Sequence, residues 1–192
     1  MSSVEAKRLF VAIEIPAEIK RAISACQNEL KMPEADVKWA EPQNIHLTLK
    51  FLGSVNVENI ARIRHSLDKQ FSGQNVFNTE LSRIGAFPSL SDARILWIGL
   101  NDEKKILKNM AAKIDEVFLK LGFKNEIRAF QPHITIGRIR SAHKKTSLIN
   151  KIFETDKNLK HSVFAINNLT LFESSLSSCG PTHSILHQIK FK

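Results

Sequence analysis

The 192-residue chain has only two cysteines, Cys26 and Cys179. Two are too few for a disulfide framework, and their separation is not a metal-ligand spacing. The opening MSSVEAKRLFVAIEIP carries Glu5 and Glu14 and has no long apolar core, so it does not read as a secretory signal. No apolar run approaches the ~20 residues that span a bilayer. No membrane partner is expected, and the setting predicted is soluble, reducing and cytoplasmic. No stretch is low in complexity, and no Pro-, Gly- or Ser-rich linker divides the chain. One domain over 1–192, built as two lobes and working as a monomer, is therefore expected. Several familiar chemistries lack their motifs: there is no G-x-S-x-G, no phosphate-binding P-loop and no G-x-G-x-x-G. Acidic residues are in deficit, 19 Asp+Glu against 28 Lys+Arg, for a net charge of +9. That excess favours polyanionic partners: RNA, DNA, nucleotides or an acidic membrane surface.

What is present is a repeat. NIHLTL holds His46 and Thr48, and PHITI holds His133 and Thr135; the histidines lie 87 residues apart (133 − 46). Leu9, in an apolar β-like run, precedes His46 by 37 residues, and Leu96, in another, precedes His133 by 37. Val76 follows the first histidine by 30 residues and Val163 the second by 30, each opening a Val-Phe pair. Three matches in register argue for two copies of one unit. Each unit reads as strand, helix, motif strand, helix, strand. Ile19, Ala22, Ile23, Cys26 and Leu30 recur at helical spacing after Pro16. Ile106, Met110, Ile114, Val117 and Leu121 do the same, with Gly122 as a stop. Ile60, Ile63, Leu67 and Phe71 mark a helix after the first motif; Leu148, Ile149, Ile152 and Phe153 mark a shorter one after the second. The segments FPSLSDA and ESSLSSCGPT read as turn-rich loops. The pattern predicts an α+β fold: a bilobal duplication, each lobe a small, mainly antiparallel sheet with helices outside and a cleft between the lobes.

Side chains alternate along a strand. In IHLTLK, the residues Ile45, Leu47 and Leu49 take the apolar face, and His46, Thr48 and Lys50 the other. In HITIG, Ile134 and Ile136 are apolar, and His133 and Thr135 face away from them. Each unit thus offers an imidazole and a hydroxyl about 7 Å apart on one side of a sheet. A single His-x-Thr says little, because threonine is a favoured strand residue. Two copies in equivalent places of a repeat say more. Lobes packed about a pseudo-twofold axis would bring two His and two Thr to one cleft.

That inventory suits a cyclic phosphodiester. A base must take a proton from water, and an acid must give one to the departing oxygen. Histidine titrates near neutral pH, so one ring can be neutral while its twin is charged. The hydroxyls can donate to oxygens that gain negative charge. Two histidines without a neighbouring carboxylate or thiolate are too few ligands for a metal site.

The motifs and their flanks resemble the 2H phosphoesterases, and within them the RNA 2',3'-cyclic phosphodiesterases (2'-5' RNA ligases) of bacteria and archaea. The resemblance runs through RLFVAIEIP, W-x-x-P-x-N-x-HLTLKFLG, GAFP with RILWIGL, F-x-PHITIGRIR and LFES-x-L. It implies a bilobal fold with His46, Thr48, His133 and Thr135 in a central basic cleft. It implies hydrolysis of a 2',3'-cyclic phosphate to a 2'-phosphate, with no metal and no cofactor, on RNA ends or nucleotides. It makes His46 the proton donor and His133 the proton acceptor. It also implies a weak reverse reaction that joins tRNA half-molecules by a 2'-5' bond.

Arg138 matches a basic position that the family uses near the phosphate. Strict alternation puts it on the wrong face unless Gly137 introduces a bulge or ends the strand. Lys50 shares the face of His46 and is its rival. Phe10 is read as core or as a base-stacking ring. His65 reads as solvated, His143 and His161 as lying in basic, loop-like context, His183 as a residue that could line the cleft, and Trp39 and Trp97 as packing. Two other readings share the motif residues: a phosphodiesterase for 2'-5' linked oligonucleotides, and a non-catalytic nucleotide- or RNA-binding module.

Overall fold

The structure is a computed structural model that describes residues 5–32, 35–141, 145–177 and 180–192. Cys179 and His143 lie outside the described residues. The chain forms β1 (Ala6–Glu14), α1 (Ala17–Leu30), β2 (Val37–Trp39), β3 (His46–Asn56), α2 (Ile60–Phe71), β4 (Phe77–Phe87), β5 (Ile95–Leu100), α3 (Ile106–Lys120), β6 (His133–Ile139), α4 (Lys145–Lys157), β7 (Val163–Ile166), β8 (Asn168–Ser177) and β9 (Gly180–Lys190). The first sheet has the order β3-β1-β8-β9 and the second β2-β6-β5-β4-β7. All described strand pairs are antiparallel. No helix among the described residues is long and apolar enough to cross a membrane.

The two units do not each build their own lobe; they interleave. β8, from the second unit, pairs onto β1 and carries β9 on its other edge, and β2 and β4, from the first, pair onto β6 and β5. The helices cross over too. α3 packs behind β3, with α2 beside it, whereas α1 lies against α4 behind the second sheet. One buried cluster runs through both lobes, including Val11, Ile13 and Leu47 on one side and Leu96, Ile98 and Ile134 on the other. Exchanging strands in this way ties the lobes together without a linker.

Helical periodicity explains the helices. α1 buries Ile19, Ile23, Cys26 and Leu30, and α2 buries Ile63, Leu67 and Phe71, at the spacing of one helix face. In α3 the buried stripe is Leu107, Met110, Ala111, Ile114 and Phe118, rotated by one residue from the expected Ile106 and Val117. Gly122 takes φ +89°, and the Gly122 and Phe123 amides bond back to the Leu119 and Phe118 carbonyls. That is the Schellman end that only a residue at ease with positive φ closes cheaply. Two expectations are corrected. α4 has 13 residues and is not shorter than the 12 of α2. The segment ESSLSSCGPT is largely strand, because β8 and β9 pair from Asn168↔Lys190 out to Ser177↔Gly180.

A third correction concerns Lys50. β3 skips a residue at Leu49, so Thr48 pairs with Ala12 and Lys50 with Val11. This bulge moves Lys50 to the helix side of the sheet. There it is 7% exposed, and its ammonium bonds Asp115 on α3 and, at 3.1 Å, the Lys124 carbonyl. Lys50 therefore fastens α3 to the first sheet and does not face the cleft. Lys50→Met would leave Asp115, itself about one-third exposed, without its partner. The expected result is a loss of about 1–3 kcal/mol in denaturant unfolding, with kcat/KM of the folded protein within about threefold of wild type. An unchanged midpoint with lost activity would put Lys50 back in the cleft.

Candidate active site

β3 and β6 approach each other where the sheets meet, and each begins at its motif histidine. On the first sheet, register pairs His46 with Glu14 and Thr48 with Ala12. On the second it pairs His133 with Gly99 and Thr135 with Trp97. Beneath each histidine lies an aromatic residue of the neighbouring strand. Phe10 sits 4.8 Å from the His46 ring and Trp97 6.3 Å from the His133 ring (centroid to centroid). These two aromatics are themselves 87 residues apart (97 − 10). Phe10 is 3% exposed and stacks on Phe172 at 5.1 Å, so it forms the cleft floor and is core at the same time. His46, Thr48, His133 and Thr135 line one cavity of about 480 Å³, with Arg138, Phe10 and His183 among the other walls.

Arg138 reaches that cavity through the bulge expected at Gly137. β6 skips Ile136, so Thr135 pairs with Trp97 and Gly137 with Leu96. A side chain would be crowded there: a Cβ on Gly137 would lie 2.9 Å from Val37 and 3.1 Å from Trp39 on β2. The bulges in β3 and β6 fall three residues after each histidine, a further sign of the duplication. Beyond the bulges the two units diverge. Five residues after the histidine, the first unit turns Phe51 to the cavity and the second Arg138. Phe51 is 72% exposed, a large ring on the cleft wall. Trp39 also lines the cavity while packing on the core, more than the packing role expected of it. Trp97 is buried, as expected.

The residues that the sequence reading missed are Phe51 and Gln27. Gln27, on α1, is 4% exposed, and its amide donates to the Ala40 carbonyl at 2.9 Å and to the Ile136 carbonyl at 2.8 Å. It holds the β6 bulge from behind. A signal existed, since Gln27 falls in the apolar stripe, four residues after Ile23 and three before Leu30. Of the remaining histidines, His65 is exposed, His161 bonds the Leu81 carbonyl at 2.9 Å, and His187 bonds Asp68 at 2.7 Å.

The electrostatics of the two motif histidines are alike in sign. Burial, then the charge of His183 and that of Lys20, push His46 down to about 4, against a hydrogen bond to the Asn44 backbone. Burial also lowers His133, against its bond to the Gln131 carbonyl at 2.6 Å. Because a carbonyl only accepts, Nδ1 of His133 carries the hydrogen and Nε2 of the neutral ring is an acceptor. Both rings are therefore neutral near pH 7 in the free protein. Among the described residues, no three His, Cys, Asp or Glu gather as metal ligands would.

A duplicated fold with one His-x-Thr strand from each half meeting at a cleft defines a two-histidine phosphoesterase. Comparison with known proteins gives the narrower family. The family model for LigT-like phosphoesterases matches twice, over residues 13–97 and 98–183. The RNA 2',3'-cyclic phosphodiesterase of Methanocaldococcus jannaschii is 35% identical over 181 residues, 94% of this chain and 99% of that one. The Escherichia coli K12 protein of the same name is 30% identical over 173 residues, 90% of each chain. The crystal structure of E. coli LigT complexed with 3'-AMP superposes with a TM-score of 0.78 at 25% identity, covering 98% of this chain and 99% of that one. The chain belongs to the LigT-like phosphoesterase family.

Proposed function

We propose that the protein hydrolyses 2',3'-cyclic phosphates on RNA ends and nucleotides to 2'-phosphates, without a metal or cofactor. The observation that carries this reading is the meeting of His46, Thr48, His133 and Thr135 around one cavity, in a chain of this family. His133 takes a proton from water, whose oxygen attacks phosphorus. The bond from phosphorus to the 3' oxygen breaks, and His46 gives its proton to that oxygen. The Thr48 and Thr135 hydroxyls donate to the non-bridging oxygens as their charge grows, and Arg138 adds a fixed positive charge. A substrate phosphate brings negative charge beside His46 and favours its protonated form. A ring whose own environment disfavours the proton then releases it readily to the leaving oxygen. A 5'-hydroxyl in the place of water would form a 2'-5' bond by the same route, the weak ligation of the family name.

The test is a panel of the four nucleoside 2',3'-cyclic monophosphates in excess EDTA, with a 2'-5' linked dinucleotide beside them, and product isomers identified by NMR. The 2'-phosphate should form at full rate in the chelator. Loss of activity with EDTA and its return with a divalent ion would overturn metal independence. A 3'-phosphate product would overturn the assignment of the leaving oxygen. Turnover of the 2'-5' dinucleotide alone would transfer the reading to that substrate class.

A further inference from the structure

His183 lies on β9 opposite Ser174 of β8, three residues beyond Gly180. It is half-buried and lines the cavity. Its ring stands edge-on to His46, 5.2 Å between centroids at 86°, and edge-on to Phe10, 4.9 Å at 77°. The strand that carries it is tied to the turn before His46, because the Asn44 side-chain amide donates to the Pro181 carbonyl at 2.9 Å. Two imidazoles are thus held against each other on one phenyl floor. Among the described residues the second lobe offers no counterpart: the edge-on neighbours of His133 are Phe87, 4.9 Å away at 88°, and Trp97, 6.3 Å away at 62°, which carry no charge. In a nearly symmetric pair of histidines, His183 is a polar, titratable difference between them.

We propose that His183 is a positioning residue for His46, fixing the tilt of that ring and opposing a second positive charge beside it. The inference rests on the reading of His46 as the proton donor. Two imidazolium rings at this distance repel, so a proton on one discourages a proton on the other. Burial already disfavours charge on both rings. The other charged groups around His46 do not replace this effect. Lys20 on α1 acts in the same direction. Glu14, opposite on β1, has its carboxylate engaged by the Thr170 hydroxyl and the Gln188 amide. Glu41 precedes the motif strand, and Arg8, Lys38 and Arg138 stand elsewhere on the cavity wall. His133 has no such neighbour, so the two motif histidines should respond differently to the loss of His183. This difference separates the roles of two otherwise equivalent rings.

The experiment is an NMR titration of histidine-labelled protein without substrate, for wild type, His183→Phe and His183→Gln, with His46→Gln to assign the His46 signals. Phe keeps a ring on Phe10 and Phe172, and Gln keeps a polar group; thermal melting checks that each variant folds. In both variants the His46 midpoint should rise by about half to one pH unit, a roughly 3- to 10-fold gain in proton affinity, while His133 stays still. The pH profile of kcat/KM should shift with it, and KM should change less than threefold. His65→Gln, on an exposed helix face, should leave both titrations and the rate unchanged. A His46 midpoint that stays put in the folded variants overturns the proposal. So does a tenfold rise in KM with an unmoved midpoint, which would make His183 a substrate contact. The titration needs no turnover, so it decides about His183 even if cyclic phosphates prove not to be substrates.

Discussion

Replacing His46 or His133 by alanine should lower kcat/KM on a 2',3'-cyclic phosphate by about 10²–10⁴-fold, the usual contribution of one positioned acid or base. Each ring begins its strand and lines the cavity, so its loss removes proton transfer without opening the core. The pH dependence gives a sharper check. With one ring neutral and the other charged, both kcat and kcat/KM should be bell-shaped, with apparent pKa values that belong to the pair. The profile of kcat/KM reports the free enzyme, in which His46 is pushed down to about 4 and His133 is lowered as well. Its optimum should therefore lie on the acid side of neutrality. The profile of kcat reports the complex, where the phosphate's negative charge favours both protonated rings, so its bell should sit at higher pH. Steady-state rates from about pH 4 to 9 test both statements. An alanine variant within a few-fold of wild type sinks the paired-histidine mechanism, and coincident optima sink the account of substrate-assisted protonation.

The duplication was legible because it writes itself as equal spacings, and it gave the motif pairs, the helices and the α+β class directly. How the units interleave was not legible. Nothing in an alternating strand says whether its neighbour comes from its own unit or from the other. Lys50 shows where strand alternation fails. Alternation holds only in an unbroken ladder, and one skipped residue reverses every face after it. The clue lay in the repeat itself. A bulge was expected at Gly137 to bring Arg138 round, and subtracting 87 from 137 gives 50. Carrying the same irregularity to the first unit would have turned Lys50 to the helices and Phe51 to the cleft. His183 was harder to place, because it sits near the end of the chain in no motif and reaches the site only through the pairing of β9 with β8.

Thr48→Val and Thr135→Val separate chemistry from folding. Both threonines are partly exposed on the cleft side of their strands, between neighbours that are buried: Leu47 and Leu49 in one case, Ile134 and Ile136 in the other. Valine keeps the size and the strand preference and removes the hydroxyl. A hydroxyl on a wet cleft wall exchanges partners with water, so its loss should move the melting temperature little. In the reaction the same hydroxyl would donate to a phosphate that is becoming more negative. A hydrogen bond to a charged group contributes about 1.5–3 kcal/mol, so each variant should lose roughly 10- to 150-fold in kcat/KM at about 1.4 kcal/mol per decade. The effect should fall mainly on kcat, since the donor matters most where the charge is greatest. Kinetics and thermal melting on the same two preparations test the claim. If both variants melt far lower while the folded fraction keeps full activity, the threonines belong to the core and the shared cleft is not where the chemistry occurs.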